Sequence, residues 1–305
     1  MLTMLGPVNW VWVVRRGEWE DLVMATNAVV ARRRLAQGLR RYRQRAGLTI
    51  EDLARHLECS VAKVSRMETG ISGIRVQDLT AIVNWIQVTD AERRDLEELV
   101  RRARGREWWQ EFGDLVPAGA GTFYGLEDGA STIRLHGTSL VPGLLQTRGY
   151  AGALLGSMNG TDPDVHARRV ALRMRRGRVL ERSSPPRLTA VLDQAVLYRE
   201  IGGPEVMADQ WRHLLDRAAG AGVVVRVVPF AAPPHPADGL TFTIFDFDHP
   251  DLTAVVYAEQ LSRNTFIEEP REVGVYEAAL ARAEGAALPA DESLELIDAR
   301  LRALG

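Results

Sequence analysis

Residues 48–70 read LTIEDLARHLECSVAKVSRMETG, and the organisation of the chain follows from them. Thr49 is placed to cap a helix from Ile50 to Leu57, with Glu51 and Asp52 in the first turn, where the helix dipole favours acids. Ser60 caps a second helix, Val61 to Glu68, whose inner face is expected to be Val61, Val64 and Met67; Gly70 stops it. Two short helices joined by a turn of about three residues make a helix-turn-helix. Ala54 fits, because a larger side chain there would force the crossing helices apart. Cys59, in the turn, is expected to be a small buried hydrophobe.

Outward from this stretch, Val30, Leu35, Leu39, Tyr42 and Ala46 recur mostly at three- and four-residue steps, predicting a preceding helix that Gly47 ends. A fourth helix is expected over Val76 to Trp85. A charged fifth runs from Asp90 to about Arg104, closed by Trp108-Trp109-Gln110. Beyond it the pattern mixes. Leu188–Leu192, Val223–Val228, Leu240–Phe247 and Leu252–Tyr257 read as strands, the last two as partners. Helices are expected at Arg148–Leu155, Pro163–Arg182, Gly203–Gly220, Pro270–Glu284 and Asp291–Leu304, with Gly119, Gly121 and Gly125 as a linker or turn. The fold class expected is α+β: an all-α five-helix head over 29–105, then a mixed α/β domain over 106–305.

Charge divides the chain at the same place. Residues 29–105 hold 16 Lys/Arg against 10 Asp/Glu, so a chain with a net charge of −2 carries about −8 elsewhere. Seven arginines, Arg32, Arg33, Arg34, Arg40, Arg41, Arg43 and Arg45, fall in one stretch without an acid. At 305 residues, 46% hydrophobic and 26% charged, the chain is neither disordered nor low in complexity, and its length suggests two domains. The single cysteine excludes an internal disulfide and fits a reducing cytoplasm. No run of about 20 apolar residues suggests a membrane span. Residues 1–28 are expected to be a loose arm or a mis-assigned start, with a packed strand within 1–23 as the alternative: Val8–Val14 is apolar without the flanks of a signal peptide, and Met24-Ala25-Thr26-Asn27 reads like a start.

The 48–70 stretch resembles the Xre/Cro-type, lambda-repressor-like helix-turn-helix family, in its caps, small residue, apolar faces and terminal Glu-x-Gly. Glu58 departs where the family usually has a turn glycine, and Ile50 where it often has glutamine. In this geometry the third helix enters the major groove of DNA. Its outward positions are then Ala62, Lys63, Ser65 and Arg66, with Ser60 at the cap. Lys63 and Arg66 can donate to guanine O6 and N7, the serines suit phosphates, and Arg40 and Arg41 of the first helix add salt-sensitive affinity. The resemblance further implies that Arg43 and Glu68 pair structurally.

Later motifs carry a second resemblance: Trp108-Trp109-Gln110, Leu140-Val141-Pro142-Gly143-Leu144-Leu145-Gln146-Thr147, Val191-Leu192-Asp193-Gln194-Ala195-Val196-Leu197, Gly202-Gly203-Pro204-Glu205-Val206-Met207 and Val227-Val228-Pro229-Phe230. They look like an actinobacterial group of WhiJ-like, antitoxin-like regulators. That implies a cytoplasmic transcriptional regulator with a small partner protein encoded beside it; a homodimer on double-stranded DNA is expected from the way helix-turn-helix heads usually bind. An antitoxin-like module that sequesters that partner and autoregulates its operon is the alternative. No catalytic, cofactor or metal site is assigned. His136, His166, His213, His235 and His249 are scattered, and Asp246, Asp248 and Asp251 near His249 read as a polar strand end rather than a metal site. The strand–helix–strand order before His235 resembles half of a phospholipase D-like fold, but Ala237 stands where its lysine would be.

Overall fold

Asn27 opens the first helix by accepting a hydrogen bond from the Val30 N–H at 2.9 Å, while its own amide donates to the Gly125 carbonyl at 2.6 Å. One side chain thus starts helix α1 (Ala28–Arg45) and ties it to a segment 98 residues away. The computed structural model describes residues 27–117, 119–158, 162–260 and 264–304; the expectations for residues 1–26 lie outside it.

Four more helices complete the head: α2 (Ile50–His56), α3 (Val61–Glu68), α4 (Val76–Trp85) and α5 (Asp90–Arg102). Capping boxes at Thr49/Asp52 and Thr89/Glu92 start α2 and α5. Leu35, Leu39, Leu53, Ala54, Val64, Met67, Leu79, Ile82 and Leu96 form the core of the head. Val61 departs from expectation. It is 42% exposed, because at the first position of α3 its side chain lies outside the stripe that Val64 and Met67 turn inward.

The chain then builds a six-stranded mixed sheet of order β3-β2-β1-β4-β5-β6. Its strands are β1 (Thr132–Gly137), β2 (Arg187–Asp193), β3 (Val223–Val228), β4 (Phe242–Asp246), β5 (Val255–Glu259) and β6 (Asn264–Ile267). β1, β2 and β3 are parallel; β4, β5 and β6 continue antiparallel from β1. Helices α6 (Ala120–Gly129), α7 (Arg148–Met158), α8 (Pro163–Gly177), α9 (Pro204–Ala219), α10 (Pro270–Ala286) and α11 (Ala290–Arg302) cover it. Leu188, Ala190 and Leu192 of β2 enter the core with Trp211, Leu214 and Ile297, while Val191 packs with Val273, Leu280 and Ala283 of α10. This period-two division makes three layers, helix, sheet and helix. The α+β fold class read from the sequence is the one observed.

Several boundaries are corrected. Trp108-Trp109-Gln110 does not close α5 but forms a separate 3-10 turn, Trp108–Phe112. The glycines at 121 and 125 lie inside α6 rather than in a linker. Gly125 serves contact: a Cβ there would come within 2.2 Å of Val29 Cγ2, so the bare backbone lets α1 approach. The helix expected through Arg182 ends at Gly177 and tightens into a 3-10 turn, Arg178–Glu181. Strand β1, unread in the sequence, is central: Ile133 and Leu135 face one core, while Arg134 faces the other way and bonds to Asp246 and Glu277 at 2.8 Å.

Substituting Gly125→Ala forces a clash at a buried contact and is expected to cost about 1–3 kcal/mol. Thermal unfolding of the full chain would show it as a lowered midpoint; an unchanged midpoint would mean that this contact does not stabilise the fold.

Candidate nucleic-acid interface

The helix-turn-helix is held at three points. Arg43 Nε and Nη2 donate to the two Glu68 carboxylate oxygens at 2.7 and 2.8 Å, and Nη1 donates to the Leu48 carbonyl at 2.7 Å. This bidentate bond is largely buried and ties α1 to the end of α3. It also raises the Arg43 pKa further, chiefly through the hydrogen bond to Glu68. Ala54, 3% exposed, lies in the core at the crossing, and its carbonyl accepts from the Cys59 N–H at 2.9 Å to close the turn. Cys59 is only partly buried. Glu58 takes a left-handed φ of 49°, the conformation a turn glycine would adopt without strain.

On the outward side of α3, Ser60 caps the helix, its hydroxyl oxygen accepting from the Lys63 N–H at 3.2 Å. Ala62 and Arg66 are exposed, and Ser65 is half-buried. Arg66 has no side-chain hydrogen bond or ion pair among the described residues. Lys63 differs. It is half-buried, and its Nζ pairs with Asp78 of α4 at 2.9 Å. Ile71, 76% exposed just past α3, and the exposed Arg75 adjoin this surface. Sequence reading passed over both, because they fall in the loop between two well-marked helices.

The first-helix arginines are used mostly inside the protein. Arg32 donates to the Ala103 carbonyl, Arg34 pairs with Asp95, and Arg45 with Glu92. Arg33 and Arg41 reach across to Glu268 and Asp251 of the sheet domain. Burial lowers the Arg33 pKa, with Glu268 pulling against it. Of the seven, only Arg40 has no side-chain hydrogen bond or ion pair among the described residues.

The second domain's motifs are largely self-satisfied. Gln146 donates to the Val141 carbonyl at 2.8 Å and accepts from Arg173 at 2.6 Å. Gln210 binds the Leu145 carbonyl and the Thr147 N–H at 2.7 and 2.8 Å. Residues 140–147 are therefore a buried turn, its leucines in the core and its polar groups internally partnered. Burial, then the neighbouring Arg176 charge, lowers Arg173 to about 10. Asp246 is taken by Arg134 and Asp251 by Arg41, so two of the three aspartates near His249 already have cationic partners.

Residues 34–96 match a family model described as a helix-turn-helix domain, which places the head in the class of fold used by DNA-binding regulators. Residues 120–299, more than half of the chain, match a model described as a domain of unknown function, DUF5753. The chain belongs to that family. No curated protein and no solved structure matches it, and no helix among the described residues is long and apolar enough to cross a membrane.

Two substitutions probe the frame of the head. Glu68→Ala leaves a largely buried guanidinium unpaired and is expected to cost about 3 kcal/mol. Glu58→Gly relieves the left-handed backbone and is expected to gain up to about 1 kcal/mol. Chemical denaturation of both variants checks the opposite signs.

Proposed function

We propose that the protein is a sequence-specific DNA-binding transcriptional regulator that reads the major groove with α3. The observation that carries this reading is the outward face of α3. Ala62 and Arg66 are exposed there, on a helix fixed to its support by the Arg43–Glu68 bond. An exposed guanidinium on that face can donate to guanine O6 and N7 together. Ala62 is small enough to let α3 lie deep in the groove. Ser60 and Ser65 are short hydroxyl donors suited to phosphates, and Arg40 adds a non-specific phosphate contact.

Lys63 joins the readout by exchanging Asp78 for a base or phosphate acceptor, so Asp78 tempers the affinity of the surface. The expected assembly is a homodimer on paired half-sites about 34 Å apart, the spacing such heads use. The sheet domain would be the place where a ligand or partner protein acts. Two ion pairs, Arg33–Glu268 and Arg41–Asp251, give it a direct hold on α1.

The test is binding of the purified full chain to DNA upstream of its own gene, against scrambled DNA, across a salt series. Arg66→Ala is expected to cost about 1–3 kcal/mol on the upstream DNA and to relax its sequence preference. Arg40→Ala is expected to weaken both DNAs alike and reduce the salt slope by about 1. Sequence preference retained in Arg66→Ala, with the fold confirmed by circular dichroism, would remove Arg66 from the reading surface.

A further inference from the structure

Between the head and the sheet domain lies a cleft of about 790 Å³. One wall is α1, with Val30 and Arg34; the other is the end of α8, the 3-10 turn after it and the loop leading into β2. Five arginines line the cleft, Arg34, Arg175, Arg176, Arg178 and Arg182, against three acids, Glu127, Asp128 and Asp248.

The pairings leave positive charge over. Arg176 is matched by Glu127 at 2.9 Å, and Arg34 by Asp95. Arg182 donates to the Asp128 carbonyl at 2.7 Å, with the Asp128 carboxylate at 3.5 Å. Arg175 lies over the Trp108 ring at 5.1 Å without a carboxylate partner among the described residues, and exposed Arg178 has none there either. Two donors are buried with no hydrogen-bond acceptor among the described residues: Nε of Arg34 and Nε of Arg182. Such groups are costly unless something supplies the acceptor. His249 is on the same lining. Burial lowers its pKa first, and the Arg34 and Arg41 charges lower it further, with Asp95 and Asp248 opposing.

We infer that this cleft binds a small ligand that carries a diphosphate group, held by Arg175, Arg178 and Arg182 and touched from the head by Arg34. Guanidinium groups suit phosphate oxygens because they donate in a planar fork and stay charged. Stacking on Trp108 holds Arg175 in place before the ligand arrives. A phosphate held between Arg34 and the arginines of the opposite wall would bridge α1 to the sheet domain, so the ligand would set the stance of the head. The inference deepens the ligand-sensing reading above. It is read out without DNA, so each can fail separately.

The experiment is calorimetric titration of the full chain with inorganic pyrophosphate at low salt, beside orthophosphate. Saturable binding at one site is expected, with pyrophosphate tighter than orthophosphate. Arg178→Glu, at an exposed position that leaves the fold intact, and Arg175→Ala should each weaken it by about tenfold or more. Arg212→Ala, a remote exposed arginine paired with Asp209, should leave it unchanged. Absence of saturable pyrophosphate binding, or equal binding by wild type and Arg178→Glu, overturns the inference. So does a result in which the cleft variants weaken only duplex DNA binding, because the cleft would then belong to the nucleic-acid surface.

Discussion

Helix α1 has two faces, and the rest of the structure hangs on both. Ala31, Leu35, Leu39 and Tyr42 turn into the core of the head. Val29, Arg33, Gln37 and Arg41, four residues apart, turn toward the sheet domain, where Val29 meets Gly125 and the others meet Glu268, Thr253 and Asp251. A helix with 3.6 residues per turn presents those two stripes on different sides. The head is therefore joined to the second domain through the same helix that Arg43 locks to α3.

That arrangement changes the meaning of the arginine run. By composition it is a basic patch able to grip phosphates non-specifically. In the fold, six of the seven arginines are bound to carboxylates or carbonyls of the protein. Arg40 remains for solvent or DNA. Among the described residues, arginines without a carboxylate partner stand instead on the outer face of α3, at Arg66, and in the cleft between the domains, at Arg175 and Arg178. The two places are chemically alike but geometrically different: a convex helix face fits a groove, and a concave cleft fits a small ligand.

The helices were largely legible in the sequence because their signals are local. Caps at Thr49 and Ser60, apolar steps of three and four, and stopping glycines place α2, α3 and α4 within a residue or so. Strands β2 and β3 were equally plain, as short apolar β-branched runs. β1 was not, since Arg134 and His136 interrupt it. Their partners, Asp246, Glu277 and the Leu240 carbonyl, lie more than 100 residues away. The glycines of α6 misled for a related reason: Gly125 admits Val29 of the docked α1 and Gly121 leaves room for the Trp109 ring, contacts that residue order does not display.

Helix periodicity and capping are properties of neighbouring residues, so the helix-turn-helix and the outward placing of Arg66 follow from residue order alone. Which charges stay free follows from the folded arrangement. Lys63 finds Asp78, Arg41 finds Asp251, and the cleft arginines are assembled from both domains. An ion pair depends on distance in space rather than along the chain, so its outcome cannot be read from the order of residues alone.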